Sequence, residues 1–261
     1  MESDDRQGVK AFDTGLRVLA AFIGSEPMPM LKTLADRSGM HPAKVHRYLV
    51  SLTRAGFVAQ DAATGRYRLA ERALQLGYAA EHAVDVLREA RPVLTQLCQQ
   101  LGHSVMLGIW SGSGPIVALQ ELVPGPVSIQ ASIGTVMPLL RSSTGQTFGA
   151  WLVPSKVRPF LDKELKALRQ QQTDLPTTLD GAQALYADVR KRGIARVLGQ
   201  LNAAICGMSV PVTGRTGELE AVLTAMGPTG SIDITWAGET ATQLRAGAER
   251  LSRALGGRAG I

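Results

Sequence analysis

Leu31-Lys-Thr-Leu-Ala-Asp-Arg-Ser-Gly-Met-His-Pro-Ala-Lys-Val-His-Arg-Tyr-Leu-Val-Ser-Leu-Thr-Arg-Ala-Gly-Phe57 reads as two helices joined by a tight turn. Leu31, Leu34 and Ala35 place apolar groups on one face of the first helix. Gly39 can adopt the positive φ that a sharp turn requires. Pro42 suits the first turn of the second helix, where its fixed φ helps and its missing N–H costs nothing. On that helix Val45, Leu49 and Leu52 face inward, while Lys44, Arg47, Ser51 and Arg54 form a separate basic and hydroxyl stripe. An apolar stripe backed by a polar, cationic one is what a helix lying in a DNA major groove needs. Gly56 ends it.

The next residues extend the module. Phe57-Val-Ala-Gln predicts a strand, Asp61-Ala-Ala-Thr-Gly a turn, and Arg66-Tyr-Arg-Leu a returning strand. A basic hairpin placed directly after such a helix is the wing of a winged helix-turn-helix. Upstream, Asp13 or Thr14 can cap a first helix that carries Leu16, Leu19, Ala20 and Ile23. The net charge of the chain is +6. Between Lys32 and Arg72 stand eight basic residues against three acidic ones, so nearly the whole excess lies in this module. Focused positive charge points to phosphate contact. The residues expected to meet DNA are Lys32, Thr33, Pro42, Ala43, Lys44, His46, Arg47, Ser51 and Arg66.

Hydrophobic residues make up 45% of the 261-residue chain and charged ones 19%, which indicates globular structure with room for one to two domains. Cys98 and Cys206 have no metal or redox spacing and are expected as free thiols in a reducing cytoplasm. No apolar run reaches membrane length. The acidic, polar start, Met1 to Gln7, lacks the features of a signal peptide and is expected to be a short disordered tail. Residues 71–92 predict a connector helix that Pro92 breaks or kinks, followed by a second helix from Val93 to Leu101.

Beyond Gly102 strands and helices mix. Strands are predicted at Ser104–Trp110, Ile116–Leu122, Val127–Ala131, Ala204–Val212 and Leu219–Met226. Helices are predicted at Thr144–Val153, Ser155–Leu168, Leu179–Arg192 and Gly238–Leu255. The expected organisation is α+β: a winged helix-turn-helix over 1–70, a helical linker over 71–92, and a sensor-like domain over 93–261.

Several segments resemble the IclR family of bacterial transcriptional regulators. Thr14-Gly-Leu-Arg-Val-Leu resembles its opening helix, and Leu34-Ala-Asp-Arg-Ser-Gly-Met with Val45-His-Arg-Tyr-Leu-Val-Ser-Leu its helix-turn-helix. Thr64-Gly-Arg-Tyr-Arg-Leu resembles its wing. Gly134-Thr-Val-Met-Pro-Leu before Ser142-Ser-Thr-Gly, and Cys206-Gly-Met-Ser-Val-Pro-Val, resemble its effector domain. The resemblance implies a GAF-like effector-binding domain and a dimer or tetramer that answers to a small metabolite. Two departures stand out. Ala43-Lys44 replaces a frequent Ser-Thr in the recognition helix, and no acidic counterpart appears in Leu198-Gly-Gln-Leu-Asn.

For the effector, Ser142, Ser143 and Thr144 stand at a predicted helix start beside Arg141. First-turn amides and the positive end of the helix dipole favour an anion. Met106, Trp110, Leu139, Ile205 and Met208 are expected as apolar walls, so the predicted ligand is a small organic acid, an aromatic carboxylate for choice. The hydroxyls could instead simply cap the helix, and the methionines and Trp110 could be core. Enzyme chemistry finds no support. The four histidines pair with no Cys or carboxylate at a metal or triad spacing, and Gly112-Ser-Gly is no nucleophile elbow. No metal or cofactor is expected. A purely architectural DNA binder would leave the near-neutral C-terminal part without a use.

Overall fold

The computed structural model describes residues 8–23, 25–83, 85–123, 132–171 and 173–257. It divides into two compact units, Met1–Ala83 and Val84–Ile261. The expected N-terminal tail and the strand expected at Val127–Ala131 lie outside the described residues.

The first unit contains α1 (Lys10–Ala20), α2 (Leu31–Ser38), α3 (Pro42–Arg54), β1 (Val58–Gln60), β2 (Tyr67–Leu69) and α4 (Glu71–Ala83). Val18, Leu34, Val45, Leu49, Val58 and Tyr67 meet in one core, so every element up to the hairpin contributes a side chain. Gly39 ends α2 in the left-handed region at φ 68° and redirects the chain into α3. The wing pairs Val58 with Leu69 and Gln60 with Tyr67. Its turn is held by Asp61, whose Oδ1 accepts from the Ala63 and Thr64 amides and the Thr64 hydroxyl; these bonds hold the carboxyl below the usual carboxylate range. Helix α1 begins earlier than Asp13 or Thr14. Val9 precedes it without a side-chain cap, and the Thr14 hydroxyl donates back to the Lys10 carbonyl inside the helix. Lys10 and Ala11 are strong helix formers and extend the helix upstream of the expected caps.

The second unit contains α5 (Asp85–Leu101), β3 (Ser104–Ser111), β4 (Gly114–Glu121), α6 (Ser143–Trp151), α7 (Pro154–Leu168), α8 (Leu179–Arg192), β5 (Ala195–Leu198), β6 (Ile205–Thr213), β7 (Leu219–Pro228) and α9 (Glu239–Ala254). The five strands form one antiparallel sheet in the order β4-β3-β7-β6-β5. Strand β5, four residues at the sheet edge, was not expected; so short a run carries too little periodicity to declare itself. Of the break or kink expected at Pro92 the break does not occur: α5 continues through it. Pro92 is exposed, whereas Ala90, Leu94 and Leu97 are buried on either side of it. Packing of that stripe against the sheet outweighs the amide bond that proline cannot make.

Alternation along the strands sorts the sheet into two faces. Val105 and Leu107 of β3, Cys206, Met208 and Val210 of β6, and Leu223 and Ala225 of β7 pack with α5 and α9. Met106, Gly108, Ser209, Thr224 and Met226 occupy the opposite face, over which α6 lies. Two positions around α6 have no room for a side chain, one facing it from the sheet and one facing the segment before the helix. A Cβ on Gly108 would stand 2.7 Å from Thr144 Cγ2, and one on Gly145 would overlap the Pro138 carbonyl. Gly145→Ala must therefore displace backbone. A stability loss of about 1–3 kcal/mol, the range for overpacking, is expected as a lower urea midpoint with unchanged slope.

Candidate nucleic-acid interface and small-molecule site

On α3, Val45 and Leu49 are buried, whereas Pro42, Ala43, Lys44, His46, Arg47 and Ser51 are exposed. The His41 ring nitrogen Nδ1 accepts the Ala43 amide at 3.3 Å and so caps the helix. On α2, Lys32 is exposed and Thr33 half-buried. Ala11, His41, Ala43, Lys44, Arg47, Tyr48 and Ser51 line a surface groove of about 660 Å³ at the start of α3. The Ser51 hydroxyl donates to the Arg47 carbonyl at 3.3 Å, so in the free protein it is turned onto its own helix.

Two of the basic residues do structural work. Arg37 donates to the carbonyls of Ala21 (2.8 Å) and Ile23 (2.5 Å), closing the end of α1. Arg66, expected as a phosphate contact, donates to the Met28 carbonyl at 2.8 Å and pairs with Glu26 at 3.3 Å. Its charge is therefore partly neutralised, and Arg68, exposed on β2, is the more outward cation of the wing. Sequence reading missed this because the partners lie about forty positions away along the chain.

In the second unit the expected effector residues do not form one wall. Met208 lies in the core with α5 and α9, on the far face of the sheet from Met106. Ile205 and Met208 are three residues apart on one strand, and an odd spacing places them on opposite faces. Trp110 is on the α6 side but packs against Phe148 and Phe160, with ring centroids 5.7 and 5.5 Å away. Met106 instead clusters with Val117, Met137 and Met226, and Ile205 packs against them. The sequence reading missed Val117, Met137 and Met226, because their proximity follows from strand register and, for Met137, from a segment bridged to Ile116 of β4.

Beside this cluster a chain of buried hydroxyls joins α6 to the sheet. Across three strands, Met106 pairs with Thr224 and Thr224 with Ser209. Ser209 Oγ donates to Ser143 Oγ at 2.7 Å; Ser209 and Thr224 are 2.7 Å apart, and Thr224 and Thr144 are 2.9 Å apart. Each hydroxyl has one proton. Since Ser209 gives its own to Ser143, Thr224 donates to Ser209 and Thr144 to Thr224. The proton of Ser143 is then the outgoing end of the chain.

Much of the anion-binding capacity expected before α6 is already used within the chain. Ser142 Oγ accepts the Gly145 amide at 2.9 Å and donates to the Pro138 carbonyl at 2.7 Å, which is the capping role. Leu139 is core, and its amide and that of Leu140 donate to the Glu164 carboxylate at 2.6 and 3.1 Å. Burial pushes this carboxyl above its usual range despite those bonds. Arg141 is half-buried and donates from Nε to the Gln200 carbonyl at 3.2 Å. The first-turn donors beyond these are the Ser143 and Thr144 amides. Among the described residues no group of three His, Cys, Asp or Glu side chains could hold a metal ion, and no helix is long and apolar enough to cross a membrane. Cys98 and Cys206 are free and buried.

Residues 12–62 match the IclR helix-turn-helix domain model, and residues 78–253 match the model of the bacterial transcriptional regulator IclR C-terminal domain. The chain belongs to the IclR family. IclR-family proteins are DNA-binding transcriptional regulators with an effector-binding C-terminal domain, and the α+β architecture described above, with its winged helix-turn-helix and GAF-like domain, is theirs. Among curated relatives, the HTH-type transcriptional regulator XynR of Escherichia coli is 24% identical over 95% of this chain and 98% of that protein. Among solved structures, HmgR of Pseudomonas aeruginosa is 32% identical, with a TM-score of 0.62 over 97% of this chain and 100% of that one. An IclR homologue from Microbacterium hydrocarbonoxydans, solved as a complex with 4-hydroxybenzoate, shares the fold at 20% identity and a TM-score of 0.74, over 94% and 98% of the two chains.

The α2–α3 geometry separates reading from scaffolding. Arg47→Ala is expected to weaken specific operator binding by about 1–3 kcal/mol, the scale of a bidentate base contact, with an unchanged melting temperature. Arg37→Ala should instead lower the melting temperature. Titrations against operator and random duplexes, paired with thermal melts, check both.

Proposed function

We propose that this IclR-family regulator binds a small aromatic carboxylate on the α6 face of its sheet and controls the catabolism of that class of acid. The observations that carry the reading are the Met106, Met137 and Met226 cluster on this face of the sheet and the chain of hydroxyls that runs from Thr224, the strand partner of Met106, through Ser209 to Ser143 at the start of α6. Thioethers pack favourably against aromatic rings and adapt to their shape. The Ser143 hydroxyl and the Ser143 and Thr144 amides offer donors at the positive end of the helix dipole. Arg141 adds charge nearby in sequence. The 4-hydroxybenzoate complex of the Microbacterium protein supports the reading, since a related fold holds a ligand of this class.

On this reading residues 1–70 bind the operator, 71–92 link the domains, 93–261 hold the effector, and the protein works in the cytoplasm as a homodimer or tetramer. One winged helix reads too few base pairs for a genome-scale search, so two modules must act together. Leu76 on α4, 60% exposed, supplies apolar surface for such pairing. Leu76→Glu is expected to raise the monomer fraction in sedimentation and to weaken operator binding. An unchanged monomer fraction would place the pairing surface elsewhere.

The effector reading is tested by thermal shift, because a ligand that binds only the native state raises its melting temperature. 4-Hydroxybenzoate and related aryl carboxylates are expected to do so, and neutral aryl alcohols much less. Ser209→Ala removes the donor to Ser143 and the acceptor of Thr224. It should raise the carboxylate concentration needed for response by about tenfold, as for loss of a hydrogen bond of about 1.4 kcal/mol, while ligand-free operator binding stays near wild type. An unaltered response would remove the hydroxyl chain from the site.

A further inference from the structure

Helices α6, α7 and α8 line an open cavity of about 470 Å³ that shares no lining residue with the sheet-face site proposed above. That volume falls in the range of small-molecule pockets, roughly 300–1,000 Å³. Its walls are apolar: Leu152, Val157, Leu161, Leu179 and the ring of Tyr186. The Tyr186 ring lies directly against Gly149, where any Cβ would overlap it, so the glycine gives the cavity this wall.

The charged side chains of the rim are Arg190 and Arg158, the latter partly neutralised by Asp162. Arg158 and Arg190 line the cavity and no Asp or Glu does. Arg190 donates from Nε and Nη2 to the Ala150 carbonyl, which fixes its guanidinium at the rim. A guanidinium has five N–H donors, so others are left over from that single acceptor. Arg158 uses Nε for both Asp162 oxygens, at 2.7 and 2.8 Å, and keeps its two terminal nitrogens for another partner. Pro154, Ser155 and Val157, also lining, form the first turn of α7, at the positive end of its dipole. The Gln183 amide completes the rim.

We infer that this cavity is a second small-molecule site that takes an amphiphilic carboxylate. The apolar body lies on Leu152, Leu161 and Tyr186, and the carboxylate meets Arg158 and Arg190. The cavity also touches the machinery of the first site. The Tyr186 hydroxyl donates to the Leu139 carbonyl at 3.4 Å, in the segment that leads into α6.

Octanoate and 1-octanol, titrated calorimetrically into the full-length protein, test this. Octanoate is expected to fill one such site per chain and to bind at least about tenfold more tightly than octanol, because the cationic rim is charge-complementary only to the acid. Ala187→Trp, at an exposed lining position, fills the cavity and should weaken octanoate at least tenfold without changing the melting temperature. Arg158→Gln, an independent variant should the first not fold, should weaken octanoate several-fold and octanol not at all. Octanoate binding unchanged in both variants overturns the proposal, as does equal affinity for the alcohol. So does binding lost in Ser209→Ala but kept in Ala187→Trp, which would place the ligand on the sheet face. Loss of self-association in Ala187→Trp with octanoate affinity intact would make the cavity an interface between copies and overturn the proposal as well.

Discussion

Close approach of α6 to the sheet is the constraint on which the second unit depends. A helix lying so near a strand surface has little room for side chains where it touches; Gly108 supplies the gap on the sheet, and Gly145 lets the Pro138–Leu139 segment pack on the helix. What fills the remaining space is polar. Ser143, Thr144, Thr147, Ser209 and Thr224 are all buried at this seam. Buried hydroxyls are costly unless paired, and unpaired ones cost about 1–3 kcal/mol each. Here they pair with one another and with backbone carbonyls, in an ordered chain that leaves one proton at the mouth of α6. The seam is at once the glue of the domain and its most polar interior surface.

The same economy governs the segment before α6. A run of backbone amides preceding a helix attracts carboxylate, and the first carboxylate to arrive is the protein's own. Glu164 reaches from α7 to Leu139 and Leu140, and Tyr186 reaches from α8 to the Leu139 carbonyl. The segment is thus pinned from the two outer helices. In the first unit, charge is divided in a like manner. Arg37 and Arg66 hold loops together, while Lys44, Arg47 and Arg68 face outward. Net charge alone does not distinguish these roles, since a guanidinium bound to carbonyls and one offered to phosphate count equally.

The winged module was legible because its signals are local. Gly39 marks the turn, Pro42 the helix start, and Val45 and Leu49 the buried face, each within one or two helical turns of the next. The wing followed from alternation over a few residues. Where local signals misled, packing had the last word. Pro92 stays inside α5 because its ring faces solvent while Ala90, Leu94 and Leu97 remain buried. Helix α1 starts at Lys10 without the side-chain cap that Asp13 or Thr14 had seemed to offer.

By itself, then, the sequence determined the class of each long element, the exposed basic and hydroxyl stripe of α3, and the hydroxyl-rich start of α6, since periodicity and capping act over a few residues. Tertiary structure alone decided which side chains share a space. Met106 joins Met226 because β3 pairs with β7 in one register, with Met106 opposite Thr224, and Met137 joins them from the segment that bonds to Pro115 and bridges Ile116 of β4. Met208 is lost to the other face because strands alternate, and its odd distance from Ile205 cannot be bridged. Glu164 fills an amide nest twenty-five residues upstream. Such pairings depend on long-range register and helix docking, and no pattern confined to a short stretch of chain encodes them.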